Sequence, residues 1–366
     1  MSVLTHLQHS MKKEEISLLY YDDPLTVAYL TGFESEPHER VVGALVFLDE
    51  IWLIVPELEK QSASEASECD HILSYKDEIS PWSVLSEALK GDIEIIKTIG
   101  IDEQSLIVKR YHALKEIFPK ATFINSTSLI QDLRVIKQQN ELDIMKEAGL
   151  LADKALKIGM DYLKTGISEE EVVARIEYEI KKFSVEKMSF PTMVLFGDHA
   201  ASPHGNPGKR QLKPNEWVLF DLGVVYKGYT SDMTRTIVYG KADEKSKAIY
   251  TIVKEAQEKA QAFVKPGILA GDIDKIARTH IEESGYGSYF THRLGHGIGK
   301  SVHEYPNIAP HVNVAIRENM CFSIEPGIYI EDYYGVRIED CIYVSESNAR
   351  PFTHTTKEII ELPIKD

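Results

Sequence analysis

The stretch Trp217–Thr236, WVLFDLGVVYKGYTSDMTRT, decides how this chain is read. Its first part is an apolar run broken by one acid, Asp221, and its second carries another, Asp232. Between them Lys227-Gly228 is a two-residue connection of the kind that closes a β-hairpin, because glycine accepts the positive φ such turns need. If Tyr226 pairs with Tyr229, Gly223 falls opposite Asp232, and alternation puts Asp221 and Asp232 on one face. Gly223, having no side chain, then leaves open space between the carboxylates. Two acids facing each other in an apolar hairpin repel and resist ionisation, so either one is protonated or something positive sits between them. A divalent cation resolves the conflict through carboxylate oxygens. The plainer alternative is a solvated or capping pair, and the rest of the chain has to decide.

A length of 366 residues suffices for two domains with separate cores. The balance of 41 basic to 57 acidic side chains gives a net charge of −16, a surface that repels nucleic acid and anionic membranes. No apolar run approaches the roughly 18 residues of a membrane span. The start, MSVLTHLQHSMKKEE, lacks the apolar core and small-residue cleavage site of a signal peptide. Cys69, Cys321 and Cys341 are too few and too widely spaced for a disulfide framework, so they read as structural thiols in a cytoplasmic protein.

Residues 1–132 alternate strand-like and helical patterns, which indicates an α/β domain. Val41–Pro56 reads as a hairpin, Trp82–Lys90 and Ser105–Ile117 as helices, and DIEIIKTIGID and Ala121–Ile124 as strands. The loop carrying Glu34, Glu36, His38, Glu39 and Arg40 is either plain solvated surface or a segment reaching a ligand, in this subunit or another. From 133 to 366 a second domain is expected. Leu133–Leu163 has the periodicity of one long amphipathic helix or two in series, and Ser168 to Glu171 is a capping box opening the next. Lys164-Thr165-Gly166-Ile167 is echoed by Lys265-Pro266-Gly267-Ile268, each lying between helical stretches, which points to an internal duplication. The second half should then hold ligands as the first does.

It contains candidates. Glu325 and Glu339 sit among apolar neighbours in strand-like sequence, where an unpartnered acid is expensive. An Arg337–Glu339 pair is the simplest account of one of them. His296 lies between Gly295 and Gly297, which allow close approach, while His204, His292 and His303 fall in or beside turn-rich or glycine-rich segments. Two Asp, two Glu and one His form a mainly oxygen site whose formal charge balances two divalent cations, manganese first, with cobalt or zinc as alternatives. Such a pair, roughly 3.5–4 Å apart, shares a water, acidifies it and polarises a carbonyl, which is hydrolysis chemistry.

The order Asp221, Asp232, His296, Glu325, Glu339, set in DLGVVYKGYTSDMTRT, HRLGHGIG, VHEYP, IEPGIY and GVRIED, resembles the ligand set of the pita-bread metallopeptidases, which include methionine aminopeptidase, aminopeptidase P and prolidase. The likeness spans nearly the whole chain and is strongest to the Xaa-Pro-specific branch. It implies an α+β fold: a duplicated pita-bread catalytic domain behind a smaller creatinase-like N-terminal domain. It further implies that Asp221 serves one metal, that His296 and Glu325 serve the other, and that Asp232 and Glu339 bridge. Glu325 would move the proton, His303 would contact the scissile carbonyl, and His204 and His292 would line the substrate pocket. The implied partners are a proline-containing dipeptide and a second copy of the chain. One departure stands out: where some prolidases carry an arginine that reads the dipeptide carboxylate, this chain has Asn307. Arg293, Arg337, or His38 and Arg40 of a neighbouring subunit are the replacement candidates. The expected activity is Xaa-Pro dipeptide hydrolysis. The rival readings are an aminopeptidase P acting on longer peptides, and a pita-bread binding protein or metal-free amidinohydrolase.

Overall fold

The computed structural model describes residues 3–365, and the chain forms two compact units, one running to Arg134 and the other starting at Val135. The N-terminal unit holds one mixed sheet of six strands, its first hairpin pairing Gly43–Val46 with Ile51–Ile54 in antiparallel register. The DIEIIKTIGID stretch is strand only over Thr98–Ile101, because its first residues close turns such as Ile96 N–H to Asp92 O at 3.1 Å. The following helix starts at Val108, since the Asp102 carboxylate instead holds Gln104 and Ser105 in a turn.

The stretch 133–163 belongs to two helices. The first, Thr127–Val135, ends where a Gln138–Glu141 capping box begins α1 (Gln139–Tyr162). The α1 stripe Leu142, Met145, Ala148, Ala152, Ala155 and Leu156 is buried, as its spacing predicts. Ser168 and Glu171 cap α2 (Glu169–Ile180) reciprocally. Three long strands follow, β1 (Met193–Phe196), β2 (Glu216–Leu222) and β3 (Met233–Tyr239). The pattern then repeats with α3 (Glu244–Phe263), α4 (Ala270–Glu283), β4 (Gly295–Gly297), β5 (Cys321–Ile324) and β6 (Glu339–Val344).

In the sheet these strands run β4-β5-β6-β3-β2-β1, so each half occupies mirrored positions about the β6–β3 junction. The faint echo in sequence is a structural one. Gly166 and Gly267 both have positive φ, 80° and 93°. Gly166 N–H bonds Leu212 O at 2.9 Å and Gly267 N–H bonds Ile316 O at 2.8 Å, and the return bonds run from Leu212 to Ile167 and from Ile316 to Ile268. This is the α+β pita-bread architecture with its duplication.

The hairpin has the expected register, Tyr226 opposite Tyr229 and Asp221 opposite Thr234. Lys227 and Gly228 have φ of 48° and 72°, both positive as a tight primed turn requires. Gly223 serves another purpose than the one expected. A Cβ there would lie 1.9 Å from Ser231 O, so the glycine admits the close approach of the neighbouring backbone. Along β2, Val218, Phe220 and Leu222 join the core built with α1 and α2, which leaves Asp221 on the opposite face.

Candidate metal centre and active site

Two rows of side chains cross the sheet on one face. The first follows the register from Asp221 to Thr234 to Glu339 and continues to Glu325, whose N–H bonds Leu294 O at 2.8 Å. The second lies two residues along each strand. It holds Asp232, Cys341 and Ser323, the last two being paired, and ends at His296, whose N–H donates to Ser323 Oγ at 3.0 Å. Residues two apart in a strand share a face, so the pleat alone brings the acids and the imidazole together. Thr234, Cys341 and Ser323 between them are small. Space remains for something else.

His296 Nε2 lies 3.3 Å from Glu325 Oε1 and 3.6 Å from Asp232 Oδ2. Donor atoms of His296, Glu325 and Glu339 fall within 4.8 Å of one another, as do those of Asp232, Glu339 and Cys341. Asp221 Oδ1, Asp232 Oδ1 and Glu339 Oε1 are buried without a hydrogen-bond partner. Orphan carboxylate oxygens in a dry site are costly, and three of them converging calls for a cation. The imidazole is oriented for the same task, because Nδ1–H donates to Gly297 O at 3.1 Å and leaves the Nε2 lone pair facing the acids. The donor set fits hard or borderline divalent ions.

The protein alone leaves this centre short of positive charge. Burial, then repulsion from Glu339, Asp221 and Glu325, drives the Asp232 carboxyl well above the usual range. Burial followed by the charges of Glu325 and Asp221 does the same to Glu339. Glu325 is pushed up to about 7, chiefly by burial. Burial, with His303 adding to it, pulls His296 down to about 3, so its nitrogen stays an unprotonated donor. Arg337 is the buried cation here, and it pairs with Asp221, not with Glu339 as the simplest sequence reading has it. Arg337 also donates to Thr234 Oγ1 at 3.1 Å and Tyr329 Oη at 2.7 Å.

The four acids and the imidazole open onto a cavity of about 520 Å³ whose lining also includes His204, His292, Arg293, His303 and Arg337. His303 stacks edge-on against His296, ring centres 4.2 Å apart. His292 is held at both nitrogens, donating to Arg293 O at 2.7 Å and meeting the Tyr329 hydroxyl at 3.0 Å. Burial lowers it to about 4, so it is a neutral wall residue. Arg293 donates to Asn307 Oδ1 at 2.6 Å, so this cation stands beside the position of the expected arginine.

Two family patterns cover the chain: metallopeptidase family M24 over residues 143–346 and the creatinase/prolidase N-terminal domain over 4–136. The chain belongs to metallopeptidase family M24. Over 366 residues it is 40% identical to the Xaa-Pro dipeptidase of Lactobacillus helveticus, covering 99% of this chain and 100% of that one. It superposes on the crystal structure of the prolidase from Pyrococcus horikoshii OT3 with a TM-score of 0.90 at 37% identity, covering 98% and 99% of the two chains. An X-Pro aminopeptidase from Thermotoga maritima gives a TM-score of 0.89 at 27% identity, with 98% and 99% covered. Shape alone therefore does not separate the two activities within M24. As an M24 metallopeptidase the protein is a hydrolase that uses divalent cations.

Two of the expected substrate residues belong to the N-terminal unit, where Arg40 forks onto Asp77 with two bonds of 3.0 Å and His38 has a φ of 52°. Other supporting residues escaped the sequence reading. Arg235 and Asp340, both 1% exposed, form an ion pair at 2.6 Å that ties β3 to β6, and Lys357 adds a second at 2.7 Å. An arginine inside the apolar run of β3 was the available signal. Thr234 donates to Glu339 Oε2 at 2.7 Å and Ser323 to Glu325 Oε1 at 3.1 Å, aiming both acids. Among the described residues no helix is long and apolar enough to cross a membrane.

Proposed function

We propose that this protein is a prolidase that cleaves Xaa-Pro dipeptides with two divalent cations held by Asp221, Asp232, His296, Glu325 and Glu339. The observation that carries the reading is the convergence of three partnerless buried carboxylate oxygens with the free His296 nitrogen. Manganese suits this oxygen-rich set, with cobalt or zinc as substitutes. Bound there, the cations supply Lewis acidity that activates water and polarises the scissile carbonyl. Glu325 accepts the proton from the attacking water and delivers it to the departing proline nitrogen. His303 donates a hydrogen bond to the carbonyl oxygen as charge develops on it. His204 and His292 close the sides of the cavity.

Arg293 binds the proline carboxylate, steadied by Asn307 where some prolidases carry an arginine. The assembly is a cytoplasmic homodimer in which His38 and Arg40 of the partner chain add to substrate binding. One observation favours a second reading, Xaa-Pro aminopeptidase: Arg293 already has a neutral partner, which weakens its call on a free carboxylate. The test is hydrolysis of Leu-Pro, Leu-Pro-amide and Leu-Pro-Gly after chelation and return of manganese, cobalt or zinc. Preference for Leu-Pro, lost on chelation and restored by manganese, is expected. Preference for Leu-Pro-Gly moves the protein to the second reading, and full turnover without metal removes both.

A further inference from the structure

Neither half of the catalytic unit leaves its cavity loop to chance. In the first half the loop 197–207 carries His204, and its two ends meet at one carboxylate. Glu169, at the start of α2 and fully buried, accepts from Phe196 N–H at 2.8 Å on Oε1 and from Gly208 N–H at 3.0 Å on Oε2. His199, inside the loop, places Nδ1 2.9 Å from both oxygens. The acid thus clasps the loop before, within and after its span. In the second half the loop before β4 carries His292 and Arg293. Asp274 on α4, also fully buried, accepts from Leu294 N–H at 3.1 Å and from Arg278 at 2.7 and 2.9 Å. Arg278 in turn donates to Phe290 O at 3.1 Å and His292 O at 2.9 Å. Neither acid lines the cavity.

We propose that Glu169 and Asp274, each on the second helix of its half, are positioning residues. Glu169 fixes His204, and Asp274 with Arg278 fixes His292, on opposing walls of the substrate cavity. A buried carboxylate suits this task because its two oxygens take separate donors, two backbone amides for Glu169 and one amide with the Arg278 guanidinium for Asp274, and it resists any shift that would leave one unpaired. None of these bonds runs from one loop to the other, so each clasp governs its own histidine. Helix capping alone does not require either arrangement: α2 is already capped by Ser168, and Asp274 lies within α4, a turn past its start.

The inference rests on the prolidase reading for its kinetic arm only. The experiment crosses Glu169→Gln and Asp274→Asn with His204→Ala and His292→Ala in the manganese-loaded protein. Each acid variant is expected to lower kcat/KM for Leu-Pro about tenfold in the parent. That loss should shrink to about twofold or less beside the alanine in its own loop and persist beside the alanine in the other. Bound metal per chain should stay at the parent level throughout. Equal losses in matched and crossed backgrounds would overturn the proposal, since a general loss of stability does not distinguish the loops. If the protein leaves Leu-Pro intact, the prolidase reading fails and amide exchange decides the positioning claim. Faster exchange over 196–208 in Glu169→Gln alone, and over 290–294 in Asp274→Asn alone, supports it, whereas unchanged exchange there refutes it. Should Glu169→Gln not fold, His199→Ala leaves the helix intact and is expected to give the same pattern at about threefold.

Discussion

The two halves of the catalytic unit share a scaffold and differ in what they hang on it. Counterpart strands present counterpart acids: Asp221 near the end of β2 matches Glu325 just past β5, and Asp232 just before β3 matches Glu339 at the start of β6. The symmetry fails at the outer strands. There the first half offers Met193, opposite Asp221, and the second offers His296. Duplication accounts for four carboxylates, and one imidazole, His296, makes the two ends of the site chemically unequal. A soft apolar wall on one side and a nitrogen donor on the other is how a repeated fold acquires a direction.

That inequality can be broken by substitution. Asp232→Ala or Glu339→Ala, taken from beside the central β3–β6 junction, should cost both cations and lower hydrolysis by about a thousandfold, several kcal/mol of lost stabilisation. His296→Ala should leave one cation bound and lower hydrolysis by about a hundredfold. Metal analysis after dialysis, read beside the rate, checks both. If His296→Ala emptied the site as completely as Asp232→Ala, the halves would not act as separable donors.

The join between the halves carries the next largest effect. Arg235 on β3 and Asp340 on β6 face each other across it, and Arg235 also reaches Glu339 O at 2.5 Å. Asp340→Ala leaves Arg235 and Lys357 without their acid in a fully buried place, so about 3 kcal/mol of stability should be lost. Thermal unfolding of the metal-loaded protein measures it. A loss below about 0.5 kcal/mol would mean that the backbone bonds hold the junction unaided.

A pH-borne difference should follow from Glu325. Its folded value of about 7 lies above the ordinary carboxyl value, so the folded, metal-stripped chain binds a proton that the unfolded chain has released. Stability from this group is complete below about pH 4.5 and is lost as pH rises through about 7. Between pH 5 and 7.5 the stripped parent should therefore lose on the order of 2 kcal/mol more than Glu325→Gln does. With manganese restored the difference should vanish, and a stripped parent that tracked Glu325→Gln at every pH would contradict the assignment.

How much of this was legible without coordinates depends on the range of the interaction. The hairpin register, the capping box at Ser168 and the duplicated glycine turns were readable because each is decided within about ten residues. The candidate ligands could be picked out because an acid in a strand is conspicuous, and their order resembled known motifs. What stayed hidden was pairing across the β3–β6 junction. Arg235 and Asp340 are 105 positions apart, and nothing local ties one to the other. Arg337 misled for the same reason. Proximity in sequence favoured Glu339, while the fold turned its guanidinium to Asp221 on β2. Gly223 was noticed, yet whether a missing Cβ makes room for a ligand or for a backbone is settled only by what lies opposite.

The smallest effect tests the duplication itself. Gly166 and Gly267 occupy equivalent turns with φ of 80° and 93°, and an added Cβ at either meets nothing within 4 Å. Packing therefore contributes no penalty, and Gly→Ala at either position should cost only the left-handed backbone term, about 1 kcal/mol. Because the hydrogen bonds around the two turns match to within 0.1 Å, 2.9 against 2.8 Å, the costs should agree to a few tenths of a kcal/mol. Since the sites are far apart in sequence and share no partner, the double variant should lose the sum. Chemical denaturation of the three variants reads this directly. Unequal losses would mean that one half has drifted to lean on its neighbour, and the symmetry would then be one of shape without one of energy.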